Sequence, residues 1–144
     1  MRRQAIVDSI KNRLKTITKE NGYDWAPKVF EWLVTPLGPN DLPAIVVKDT
    51  EDEIDSKRDG FFSAHHLSVE ILIFAKGGDD LAQRMRKMAQ DVLGVIGANP
   101  VEGEDMGDFL EFVSNDLVIE QQHDREGGMR IEIAVLYNTE KWSL

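Results

Sequence analysis

Apolar residues recur at Ile6, Ile10, Leu14 and Ile17, with Val7 widening the stripe. That spacing predicts an amphipathic helix over residues 3–20, ending before the turn signal Asn21–Asp24. In "KVFEWLVTP" the period shortens to two, with Val29, Glu31 and Leu33 alternating against Phe30, Trp32 and Val34, a strand stopped by Pro36. "PLGPN" is a turn-rich connector, and "LPAIVVKD" a second short strand whose proline sits at its start, where a missing donor is tolerated. "DTEDEIDSKRDG", Asp49 to Gly60, has no apolar period and predicts an exposed acidic loop, mobile in a free subunit and ordered against a neighbour. A long strand over 63–75 follows. "KGGDD" breaks it, and Asp79 or Asp80 caps a helix over 80–96 with Leu81, Met85, Met88, Val92 and Ile96 on one face. Beyond the acidic loop "VEGEDMGD", "FLEFVSNDLVIEQQ" predicts two strand pieces joined around Asn115–Asp116. After the turn "HDREGG", alternation in "MRIEIAVLYNTEKW" predicts a last long strand. Strands separated by short turns favour an α+β fold: a mainly antiparallel sheet with two amphipathic helices packed on one face, in a single domain spanning 1–144.

Two adjacent histidines open the longest strand. Side chains alternate across a strand, so His65 shares the apolar face with Leu67, Val69, Ile71 and Ile73, while His66 falls on a mixed face with Ser68, Glu70 and Leu72. One metal ion is therefore not gripped by both rings from an extended backbone. A strand histidine packed near a core is the simpler reading of His65.

The 144 residues suit one domain of common size, and 42% hydrophobic with 30% charged residues is ordinary for a soluble globular chain. No apolar run is long enough to span a membrane, and the first residues lack a signal-peptide core. With no cysteine there is neither disulfide nor thiolate chemistry, and a cytoplasmic setting is the default expectation. A net charge of −9 argues against general nucleic-acid binding. The charge is uneven. Arg2, Arg3, Lys11, Arg13, Lys15 and Lys19 stand against Asp8 and Glu20 in the first twenty residues, a local +4 beside −13 for the remainder. Such a helix suits DNA or a membrane surface, on an acidic body equally an acidic neighbour, or is simply solvated.

Chemistry is harder to find. "FAKGGDDLAQ" has the order strand, glycines, helix, but Asp79 and Asp80 stand where a phosphate would bind, and no lysine of the phosphate-loop kind follows. "DTEDEIDSKRDG" sets Asp49, Glu51 and Glu53 at alternate positions, yet Ile54 takes the place of the calcium-loop glycine, leaving weak divalent binding as the minority reading of a solvated acidic stretch. His65, His66 and His123 and the scattered serines form no nucleophile motif. Met85 and Met88 fit a helix core, and Trp25, Trp32 and Trp142 fit edge or interface packing. Catalytic, cofactor-binding and metal-ligating residues are therefore assigned to none.

The order of elements carries more. A basic amphipathic helix running into "NGYDW", then "LPAIVVKDTEDE", "HHLSVEILIFAKG", a helix ending "DVLGVIG" and a closing "IEIAVLYNTEKW" resemble, over nearly the whole chain, the tail terminator proteins of long-tailed bacteriophages and prophages, the group of the lambda minor tail protein U. The resemblance implies a small structural subunit without catalytic residues or cofactors. Such subunits form a hexameric ring that caps the head-proximal end of the tail tube, stops its polymerisation and meets the head connector. It implies self-association, with the tail tube protein and a head-connector protein as partners, and neither membrane nor sequence-specific nucleic acid. The setting would be the host cytoplasm during assembly and then the virion tail. Unlike charges suit such a ring, which makes Arg3, Lys11, Arg13 and Lys15 on the helix and Asp49, Glu51, Asp52 and Glu53 on the loop the expected subunit interface. The alternatives are another phage structural part, a tail tube or head-completion protein, and a small enzyme with a dispersed site.

Overall fold

The computed structural model describes residues 1–55, 60–120 and 126–144. His123 and residues 56–59 of the expected acidic loop lie outside the described residues. Among the described residues, helices α1 (Arg2–Leu14) and α2 (Leu81–Ile96) accompany five strands: β1 (Lys28–Glu31), β2 (Ala44–Asp55), β3 (Phe62–Lys76), β4 (Phe109–Glu120) and β5 (Glu126–Glu140). The sheet order is β1-β2-β3-β5-β4. β1 runs parallel to β2 and the other neighbours are antiparallel, so the fold is α+β with a mixed sheet.

The alternation in β3 has a direct physical outcome. Odd-numbered residues from Ser63 to Ala75 are buried and even-numbered ones are half-exposed. β5 continues the pattern, setting Met129, Ile131, Ile133 and Val135 beside Ile73, Ile71, Val69 and Leu67. Ile6, Ile10 and Leu14 of α1 and Leu81, Met85 and Val92 of α2 close over this face to form one core. On the other face the even-numbered side chains of β3 are half-exposed. There Arg130 donates to Asp116 (3.0 Å) and Glu132 (3.2 Å) and sits 3.7 Å from Glu70, tying β3, β5 and β4 by charge.

Four elements differ from expectation. α1 ends at Leu14 rather than near residue 20, because the β-branched run Thr16–Thr18 disfavours helix and side chains take up carbonyls at and just after its end: Thr16 Oγ1 donates to Arg13 O (2.6 Å) and Asn21 Nδ2 to Thr16 O (2.8 Å). β1 stops at Glu31, where Trp32 turns to φ 45. Residues 49–55, expected as loop, extend β2 against Ala64–Val69 of β3, so backbone pairing holds a segment that has no apolar period. β4 is one strand across Asn115–Asp116, and its irregularity falls between Phe112 and Ser114. Asp80 does take the N-cap position of α2, without a side-chain capping bond.

Candidate functional site

The two histidines part as adjacent strand residues must. His66 lies on the open face, 3.9 Å from Glu111. The His65 side chain is 0% exposed and is bonded at both nitrogens. Its Nδ1 meets Asp52 Oδ2 at 2.9 Å, its Nε2 meets Thr139 Oγ1 at 2.7 Å, and its ring stacks on Tyr137 at 4.4 Å. The Tyr137 hydroxyl donates to the same Asp52 oxygen (3.2 Å), and Arg3 Nη1 stands 3.9 Å away. Burial, with the Asp52 charge and bond behind it, holds the Tyr137 phenol above its ordinary range.

Hydrogen accounting fixes what this network does. Thr139 Oγ1 also donates to Ser143 O at 3.2 Å, and a hydroxyl has one hydrogen to give. With that hydrogen committed to Ser143 O, His65 donates from Nε2 to Thr139, and one hydrogen lies between Nδ1 and Asp52 Oδ2. The order carboxylate, imidazole, hydroxyl is that of a nucleophilic triad. Here the hydroxyl's hydrogen points away from the ring, and the ring is sealed from solvent. The arrangement clamps β2, β3, β5 and the tail after Glu140 to one another.

The residues expected at a subunit interface find partners inside the chain. Arg3 Nε donates to Asp49 Oδ2 (2.7 Å), and Trp32 Nε1 to Asp49 Oδ1 (2.9 Å). Burial works against ionisation of Asp49, but these two bonds outweigh it and hold its carboxyl below the usual range. Lys11 donates to Glu31 (2.8 Å), which raises the ammonium's affinity for its proton. Arg13 is buried: its Nε donates to Glu104 (2.6 Å) and its Nη1 to the carbonyls of Val95, Ile96 and Ala98 at the end of α2. Asp52 belongs to the buried network, with its Oδ1 left without a partner. Lys15, Glu51 and Glu53 are exposed. Arg2 joins them unforeseen, held protonated by Asp105 (2.9 Å) and Asp108 (3.0 Å). The polarity of a positive helix on a negative body is thus answered largely by the chain's own β2 and its 104–108 loop.

Large apolar side chains are exposed as well. The outer strand β4 shows Phe109, Phe112, Val113 and Val118 at half exposure or more. At the start of β3, Ile54, Phe61 and Trp142 reach solvent. At its far end a groove of 440 Å³ opens between Leu33, Leu37 and Leu42 on one side and Phe74, Val118 and Gly128 on the other. Among the described residues no group of three histidine or carboxylate side chains is placed to hold a metal ion, and no helix is long and apolar enough to cross a membrane. No protein-family model matches the chain, and no curated protein matches it.

Proposed function

We propose that the chain is a phage tail structural subunit of the terminator kind. In this reading it closes into a hexameric ring on the head-proximal end of the tail tube, ends polymerisation there and offers a surface to the head connector. The observation that carries the reading is strand β4. It is twelve residues long, forms the outer edge of the sheet and exposes four large apolar side chains. A long apolar edge is a template for pairing with another chain unless something covers it, and apolar exposure of this kind marks interaction surfaces. Since Arg3, Lys11 and Arg13 are bonded within the chain, apolar contact supplies most of the affinity and exposed ion pairs add little.

Electron microscopy of the purified protein, with sedimentation across protein and salt concentration, tests this. Closed six-fold rings that survive added salt are expected. A protein that stays monomeric at high concentration and low salt sinks the reading. Open tubes made of this chain would favour a tail tube protein instead.

A further inference from the structure

The three tryptophans are used differently. Trp25 is buried and its indole donates to Asp91 (2.9 Å), while Trp32 donates to Asp49 (2.9 Å). Trp142 is fully exposed, in the left-handed region at φ 63, which a residue other than glycine rarely adopts. Fraying does not account for it, because the segment is tied on both sides. Lys141 N donates to Phe61 O (3.2 Å), Thr139 Oγ1 to Ser143 O (3.2 Å), and Arg2 N to Leu144 O (3.0 Å). The fold holds an indole out into water in a costly conformation, and tryptophan is the residue type most often found as the anchor of an interface.

A matching hollow lies at the opposite end of the same sheet. The groove between Leu37 and Val118 is floored by Phe74 and by Gly128, which sits between Phe74 and Val118 in the register and leaves a side-chain's space unfilled. Its 440 Å³ falls low in the range of small-ligand pockets, about 300–1,000 Å³, a size for one aromatic side chain and its flanks rather than a helix. Charge agrees: Lys141 adjoins the indole, and Glu126 lines the groove. Neither has an ion pair among the described residues. The two features stand at the two ends of β3, twelve residues or about 40 Å apart, so a molecule does not fill its own groove.

We propose that Trp142 of one copy seats in the Leu37–Val118 groove of a second copy, giving head-to-tail association. This deepens the ring reading and rests on it for the closed form. A contact between unlike surfaces repeats, closing as a ring when its rotation divides the circle and otherwise growing as a filament.

The test uses two variants of the full chain. Trp142→Ala removes the knob and keeps the groove. Gly128→Leu fills the groove and keeps the knob; a Cβ there meets only the Phe74 ring, at an ordinary 3.7 Å, and the backbone is not in the left-handed region. Both variants should melt like wild type. In sedimentation each alone should stay monomeric at concentrations tenfold above those at which wild type assembles. Mixed together they should form a 1:1 dimer that grows no further, since each supplies the part the other lacks. Variants that assemble as wild type does, a mixture that stays monomeric, or a monomeric wild type overturns the proposal. Rings built by both variants alone would overturn it and leave the terminator reading standing, whereas wild-type filaments, with variants monomeric alone and dimeric when mixed, would sustain it and remove the ring.

Discussion

Replacing Asp52 with alanine isolates the buried network. Its Oδ2 accepts from His65 Nδ1 at 2.9 Å and from the Tyr137 hydroxyl at 3.2 Å, and both donors face the interior. Truncation leaves each without an acceptor, at about 1–3 kcal/mol apiece. It also breaks a buried, hydrogen-bonded pair, and removing one partner of such a pair costs about 3–5 kcal/mol in all. Loss of the unpartnered Oδ1 recovers part of that cost. A net cost of about 3 kcal/mol follows. At this chain length 1 kcal/mol moves the melting temperature by roughly 2–4 °C, so a fall of about 6–12 °C is expected. Circular-dichroism melts measure it, and a cycle with His65→Leu apportions it. The double variant should cost at least about 1 kcal/mol less than the sum of the singles, because both remove the same interaction. Additive costs, or a shift under about 2 °C, would mean that Asp52 and His65 are not coupled as described.

Two further outcomes rest on the charges of α1. Arg13→Ala removes four bonds, three of them to carbonyls that end α2, and should cost about 2–4 kcal/mol in urea melts while Arg13→Lys recovers less than half. Hydrogen exchange should quicken first in the last turn of α2. The Asp49 carboxyl is held below its ordinary 3.8, so its contribution is complete above that value and disappears as pH falls through the depressed one. Unfolding free energy measured from pH 7 to 2.5 should fall below about pH 4, with a shallower slope in Asp49→Asn.

The sheet's centre and the helices were legible because burial imposes a period. β3 and β5 alternate cleanly, and α2 follows its apolar face from Leu81 to Ile96. The outer half of β2 was not legible. Beyond Val47 it has β3 on one side and, among the described residues, no strand on the other, so its residues are chosen as surface residues and look like loop. A bulge at Thr50 then shifts its phase, placing Asp49 beside Val69 and Asp52 beside Leu67, both towards the helices, although their spacing is odd. No alternation in the sequence announces that, and so the partner of His65 was hidden. His65 itself was visible on the apolar face; what completes it comes from Asp52 and from Thr139, seventy-four residues away. The exposed knob left a fainter trace, a tryptophan among polar residues near the end of the last strand.

The position of β3 between β2 and β5 has a consequence for how the protein is made. Its first neighbour precedes it directly, but its second is built fifty or more residues later, since Lys76 pairs with Glu126 and Phe62 with Glu140. At synthesis rates of about 5–20 residues per second, the most apolar strand of the chain waits roughly 3–16 s with one edge open. α2 emerges in that interval and shields the face of the strand, though not its row of free amides and carbonyls. A ribosome-bound nascent chain should therefore be most prone to mispairing between the appearance of Lys76 and that of Glu140, and a translational pause placed in β4 would lengthen the exposure.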